Sequence, residues 1–399
     1  MEQRYDINTK IKFKTGVYQL NDNSNFDFQL NRVINWDGGR YEDVAKISHR
    51  IHNSKDWKRE LIALGDKAMS EHRIENAIGY YRMSEFFMYD GDSDKKKYYK
   101  YATDMFYEYF ADFFTGDTPV VTKYSVPYEN ICLPVMRVKP NTESKGIILL
   151  HGGNDSYFEE FFFPMLYLRE NGYEVYMFEG PGQGGVVRLQ NKHFTHEWEK
   201  PVKTILNYFN LDDVTVIGAS LGGYLAPRAA AFDTRIKRVV AWSVFPCFMD
   251  IIMGDMPTAV QKLLNVLIKL KCRAVINAIF KIASKKEPSI DWGLKHGCYA
   301  YEAKDAYEYA KKLMLYDLTP IAYKITQDIL ILGANQDHFI NYKMVGKEIN
   351  MMKNVRSLTF RLFTDKEQAQ NHCNCGNTKL VFDTICNWIE MCNITYRRD

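Results

Sequence analysis

The stretch that decides the fold is Gly218-Ala-Ser220-Leu221-Gly222-Gly223, preceded by the apolar run Val214-Thr-Val-Ile217. It is a G-x-S-x-G pattern set between a short buried strand and a helix that opens at Leu221. A serine on so sharp a strand-to-helix turn takes a strained backbone. Only residues without a Cβ fit closely on either side of it. The strain lifts the hydroxyl above the end of the sheet, and the N–H groups at the helix start face any oxyanion formed there. Ser220 is therefore the candidate nucleophile, and the Leu221 N–H a candidate oxyanion donor.

Outward from this turn, apolar runs and helical patterns alternate. Strands are expected at 147–150, 174–178, 214–217, 238–242, 329–332 and 358–362, with helices at 159–170, 197–210, 221–232, 342–352 and 378–392. Continuous apolar strands separated by helices predict a parallel sheet covered on both faces. Residues 120–127 and 131–138 read as a hairpin turning at Glu129-Asn130. Residues 1–116 read as mainly helical, with helices at 56–69 (Trp57, Leu61, Leu64 and Ala68 at helical spacing), 75–88 and 93–114.

Between two core strands, residues 245–317 break the alternation with helical patterns around 263–282, at 292–299 and at 303–315. So long an excursion reads as a lid over the site, with a dimerisation or packing element as the plainer alternative. The expected division is an N-terminal helical cap (1–116), the first part of the core (117–244), a helical lid insertion (245–317) and the second part of the core (318–399).

A serine nucleophile needs a base within hydrogen-bond reach and a third group to orient that base. On such a sheet the chain order is Ser, then Asp or Glu, then His. Asp337 lies just past the 329–332 strand, and His372 lies on the loop after the last strand. His338 precedes that strand and suits the base role poorly. His151 opens the loop after the 147–150 strand, His151-Gly152-Gly153-Asn154-Asp155. A second oxyanion donor is expected there, from Gly153 or Asn154.

A second glycine-rich loop, Glu179-Gly180-Pro181-Gly182-Gln183-Gly184-Gly185, lacks the Lys-Ser/Thr of a phosphate cradle. It reads as a tight loop at the floor of the site. Glu179, Arg188 and Asp250 follow core strands and are candidate substrate contacts, with structural ion pairing as the plainer reading. His372-Cys373-x-Cys375 matches no usual zinc spacing. No metal and no cofactor is expected.

The composition is that of a globular chain: 399 residues, 46% hydrophobic and 25% charged. Aromatic residues make up 14%, which suits an aromatic-lined pocket as well as a large core. A net charge of +3 gives no argument for nucleic acid or an anionic membrane as partner. The first residues lack the apolar stretch of a signal peptide, and no run of 18 apolar residues occurs. Eight scattered cysteines suit a reduced compartment, so a cytoplasmic protein is expected.

These residues carry a resemblance. The runs at 178–184, 219–231 and 335–339, the His372-Cys373 pair, Gly152 to Asp155 with Glu160, and Tyr81 to Phe87 resemble one α/β-hydrolase group. It comprises FrsA-like esterases, 2,6-dihydropseudooxynicotine hydrolases and fungal polyketide-shortening hydrolases. The resemblance spans about residues 40 to 395. It implies the α/β-hydrolase fold, a mostly parallel doubly wound sheet, with the N-terminal helices and the insertion capping the site. It also implies Ser220 as nucleophile, Asp337 as acid and His372 as base.

Two departures stand out. The stretch from Ser220 to Asp337 is longer than in the group, which bears on the lid. Asn374-Cys375 follows the His-Cys pair where a Gln or similar residue is usual.

The function expected is a serine hydrolase acting on a small molecule, cleaving an ester or, as several relatives do, a C–C bond next to a ketone. An aromatic or polyketide-like substrate would suit an aromatic-rich cap. A homodimer through the excursion is also allowed for. The rival readings are a non-catalytic binding or interaction protein on the same fold, and a peptidase or amidase. The first would be favoured by a missing triad member, and all three are present. A large-peptidase architecture would show propeller-like repeats, and none precede the core.

Overall fold

The computed structural model describes residues 4–89, 91–254 and 256–396. An eight-stranded sheet is built from β1 (Val121–Tyr128), β2 (Ile131–Val138), β3 (Ile147–His151), β4 (Glu174–Phe178), β5 (Val214–Ala219), β6 (Ile236–Trp242), β7 (Asp328–Ala334) and β8 (Ser357–Phe363). Their spatial order is β1-β2-β4-β3-β5-β6-β7-β8. The β1–β2 and β2–β4 pairs are antiparallel, and all others are parallel. Strands β5 and β7 are buried at every residue, which is why they read as unbroken apolar runs rather than alternating ones.

The chain steps outward in opposite directions from β3, to β4 on one side and to β5 on the other. The crevice beyond the carboxyl ends of β3 and β5 is therefore the switch point where such sheets bind ligands. His151 pairs with Gly218 in the register, so the loop after β3 and the Ser220 turn start side by side.

Five helices precede the sheet: α1 (Ser24–Asn35), α2 (Tyr41–Ser48), α3 (Ser54–Ser70), α4 (Ile74–Ser84) and α5 (Ser93–Tyr109). Asn23, Asn53 and Asp92 cap α1, α3 and α5 through their side-chain oxygens. On α3 the spaced residues Trp57, Leu61, Leu64 and Ala68 are all buried. The first two helices escape a periodicity reading for a physical reason. The inward side of α1 includes Asn25, Gln29, Asn31 and Arg32, all buried, so it shows no clean apolar stripe.

The covering helices are α6 (Phe162–Glu170), α7 (Gly184–Gln190), α8 (Glu199–Tyr208) and α9 (Gly222–Ala230). The helix expected from 159 begins its α-turns only at Phe162, after a 3-10 turn over Phe158–Phe161. Pro164 has no N–H to close a turn onto residue 160 and is tolerated only in the first turn of the helix. The Gly-rich loop runs on into α7, which the glycines at its start had masked.

The excursion holds five helices among the described residues: α10 (Phe248–Met253), α11 (Thr258–Lys269), α12 (Arg273–Lys286), α13 (Pro288–Ala300) and α14 (Ala306–Leu313). It leaves and returns through a closed neck, where Phe248 N–H donates to Tyr316 O (2.9 Å) and Leu318 N–H to Pro246 O (3.0 Å). Helices α15 (Val345–Met351) and α16 (Thr378–Tyr396) complete the core.

The N-terminal helices share one hydrophobic cluster with α6, α16 and one face of the sheet. Two buried ion pairs add to that docking, Arg32–Glu160 (2.8 Å) and Arg188–Glu85 (2.7 Å). Breaking such a pair from one side costs about 3–5 kcal/mol. Among the described residues, no helix is long and apolar enough to cross a membrane.

Candidate active site

Ser220 follows β5 with φ +59, a left-handed conformation that costs a non-glycine residue about 1–3 kcal/mol. Its N–H donates to Trp242 O (3.0 Å), and its carbonyl accepts from Gly223 N–H (2.8 Å), which locks the turn. The flanking glycines are required by contact. A Cβ at Gly218 would overlap Gly222, and one at Gly223 would overlap the Ser243 carbonyl.

His372 Nε2 lies 2.8 Å from Ser220 Oγ, and its Nδ1 lies 2.7 Å from Asp337 Oδ2. The other Asp337 oxygen accepts from the N–H groups of Phe339 (2.9 Å) and Ile340 (3.0 Å), so the carboxylate cannot swing away. Burial opposes protonation of His372, but the Asp337 charge outweighs it and raises the imidazole well above its ordinary value. Cys373 and Asn374 take left-handed φ values of +47 and +55. Asn374 fastens this loop, accepting from Trp242 Nε1 (3.1 Å) and donating to Ala369 O (3.0 Å). That gives the unusual residue after the His-Cys pair a structural task.

The other histidines are placed differently. Burial pushes His151, His296 and His338 down to about 4, so they are neutral at ordinary pH. Cys373 Sγ points to Trp242 O (3.6 Å). Among the described residues no three His, Cys, Asp or Glu side chains are grouped to hold a metal ion.

The loop after β3 lies hard against the serine turn. A Cβ at Gly153 would fall 2.7 Å from Leu221 N. Gly153 and Asn154 differ in their partners. Gly153 N–H donates to Ser156 Oγ (2.8 Å). Among the described residues, the N–H groups of Asn154 and Leu221 meet no acceptor.

Three distant side chains hold Asn154. Gln183 Nε2 donates to Gly153 O (3.1 Å) and Gly152 O (2.8 Å), while its Oε1 accepts from Gly180 N–H (3.0 Å). In a trans peptide the C=O and N–H point opposite ways, so Gln183 turns the Asn154 N–H away from itself. His296 Nε2 donates to Asn154 O (3.0 Å), and Tyr301 OH donates to Asn154 Oδ1 (2.9 Å). Arg32 adds a contact to the next residue, Asp155 (3.4 Å). Sequence reasoning passed over Gln183, His296 and Tyr301. The available signal for Gln183 was one long amide among glycines, on the loop after the strand that neighbours β3.

The three other pocket candidates each have a polar partner in the scaffold, though Glu179 Oε1 and Arg188 Nε are buried without one. Glu179 accepts from Gly185 N–H (2.8 Å); burial and the neighbouring Glu159 push it up to about 8. Arg188 is buried against Glu85. Asp250 pairs with Lys347. Aromatic side chains surround the base instead. The ring centres of Phe28 from α1 and Phe339 lie 5.8 and 5.1 Å from that of His372, and Trp292 stacks on His296 at 5.4 Å.

Comparison with known proteins agrees with this fold. Residues 146–360 match the family described as alpha/beta hydrolase fold. The chain is 26% identical over 361 residues to the hydrolyase poxO of Penicillium oxalicum, covering 79% of this chain and 84% of that one. It is 29% identical over 199 residues to the 20-hydroxy-prefusarin hydrolase FUS2 of Gibberella moniliformis, covering 46% and 47% of the two chains. Among solved structures, 2,6-dihydroxy-pseudo-oxynicotine hydrolase superposes with a TM-score of 0.61 at 17% identity, over 90% of this chain and 94% of its own. AbyA5 gives 0.64 at 14% identity, over 88% and 90%. Both structural likenesses speak to fold.

Proposed function

The chain belongs to the alpha/beta hydrolase fold family, and we propose that it is a serine hydrolase with Ser220, His372 and Asp337 as its triad. The observation that carries this reading is His372 bridging Ser220 Oγ and the Asp337 carboxylate within hydrogen-bond distance on both sides. Ser220 Oγ attacks a substrate carbonyl as His372 Nε2 takes its proton. The π pair of the carbonyl moves onto oxygen, facing the N–H groups of Leu221 and Asn154. Collapse of this intermediate expels the leaving group, which takes the proton from His372. Water then repeats the sequence on the acyl-enzyme. The leaving group is an alkoxide or, in a C–C cleavage next to a ketone, an enolate.

The aromatic side chains next to His372 and His296, namely Phe28, Phe339 and Trp292, support a flat aromatic or polyketide-like substrate. A relative named a 20-hydroxy-prefusarin hydrolase supports a small-molecule substrate in the same sense.

The test is labelling with a fluorophosphonate probe, wild type beside Ser220→Ala. Labelling of wild type that vanishes in the variant is expected, with a loss of turnover of about 10⁶-fold. Comparing p-nitrophenyl esters with aromatic β-diketones as substrates then separates ester from C–C cleavage. A wild-type protein that neither labels nor turns over either class would restore the non-catalytic binding reading.

A further inference from the structure

Helices α11 and α12 pack on each other and on the excursion using one side each. Leu264, Ile268 and Ile276 are their buried residues. On its opposite side α11 presents Leu263, Val266 and Leu270 at helical spacing, and α12 presents Val275, Ile279 and Ile282. Leu270 is 69% exposed, Ile282 60% and Leu263 56%. Of the nineteen large hydrophobic side chains exposed among the described residues, nine fall between residues 256 and 290. That is an apolar face far denser than singly scattered surface residues.

Charge is segregated onto the same hairpin. Residues 256–286 contain six lysines, one arginine and no Asp or Glu. Their +7 sits in a chain whose total is +3, so the rest of the molecule sums to −4. At 3.6 residues per turn, Lys262 and Lys269 lie along one flank of the α11 stripe, and Lys281 and Lys285 along one flank of the α12 stripe. All four are exposed.

We propose that this hairpin docks the protein on an anionic lipid surface. The aliphatic stripes enter the boundary between headgroups and acyl chains, and the lysines reach the lipid phosphates and carboxylates on their flexible stems. The helices are 12 and 14 residues long, well under the roughly 20 needed to span a bilayer, so they lie on the surface. A second copy of the chain fits poorly, because a two-fold interface would set the same cationic hairpin against itself. An acidic protein partner also fits less well. Protein interfaces favour aromatic and arginine anchors and are poor in lysine, whereas these stripes are Leu, Ile and Val beside lysine. The next helix, α13, carries His296 to Asn154, so docking sets a wall of the catalytic crevice close to the lipid.

The experiment is co-sedimentation of the full chain with vesicles of phosphatidylcholine alone or mixed in equal parts with phosphatidylserine. Binding to the mixed vesicles only is expected, about tenfold weaker or more when NaCl rises from about 0.1 to about 0.5 M. Leu263→Asp with Ile282→Asp should lower binding about tenfold, and Lys269→Glu with Lys285→Glu by a similar factor. All variants should keep the wild-type thermal melt, because these side chains are exposed. Absence of binding, equal binding to both vesicle types, or binding indifferent to the lysine reversals would overturn the proposal. So would a wild-type dimer in light scattering that Leu263→Asp converts to monomer, or a hairpin that binds polyglutamate but leaves mixed vesicles unbound.

Discussion

Ser220 and Asp337 stand just past the ends of β5 and β7, His372 lies on the longer loop after β8, and the parallel sheet brings the three together. Asn154 also follows a strand, but its orientation depends on Gln183 from the neighbouring loop and on His296 and Tyr301 from the excursion. On the proposed reading the nucleophile side of the crevice is thus set by the sheet, and the oxyanion side by side chains from parts of the chain that must dock first. A perturbation of the excursion is accordingly expected to be felt more strongly at Asn154 than at His372.

The largest effect after loss of Ser220 is expected on the sheet-built side. Asp337→Asn should lower kcat by about 10⁴-fold while leaving the fold intact. It should also move the pH profile. In the proposed mechanism His372 acts as base only when neutral, so activity should rise with pH through its pKa. In the wild type Asp337 holds that pKa above the ordinary value of about 6.5. Without the carboxylate, burial is left to dominate and the acid limb should shift to lower pH. A limb that stays in place would remove Asp337 from the triad.

On the proposed oxyanion side, Gln183→Ala leaves the Gly153 carbonyl without a donor, while Gly152 O keeps only His151 Nδ1 (2.9 Å), and lets the Gly153–Asn154 peptide rotate. A fall in kcat of about 10²-fold is expected, on the scale of losing one oxyanion donor, with KM changed far less. Steady-state kinetics on a soluble ester checks it. An effect confined to KM would mean that Gln183 shapes the pocket and not the donor.

The smallest effect is expected from Tyr301→Phe, which deletes one hydrogen bond worth about 1 kcal/mol and so about fivefold in kcat. His296→Gln keeps a donor near the Asn154 carbonyl and should recover part of what His296→Ala loses. If neither excursion variant changes kcat, the two halves are not built differently and the comparison fails.

Much of this was legible in the chain. The G-x-S-x-G turn, the alternation of buried runs with helices and the order of Ser220, Asp337 and His372 are local or near-local patterns. The spacing of Trp57, Leu61, Leu64 and Ala68 already marks the buried face of α3. What periodicity could not show was α1, whose inward side carries Asn31 and Arg32 because they are satisfied by Tyr18, outside the helix, and by Glu160, 128 residues away. Nor could a net charge of +3 show the cationic hairpin, since a sum over the whole chain averages it against the acidic remainder.

The sequence by itself determined the sheet, the strained serine turn and the three side chains that meet across it. A strand's burial pattern and a turn's need for glycine are properties of short segments. Only the tertiary structure decided which loop N–H is left unclaimed, that Gln183, His296 and Tyr301 aim it, and that α11 and α12 keep an apolar face turned outward. Those outcomes rest on which polar groups find partners and which surfaces find cover, and contacts between segments distant in the chain decide them.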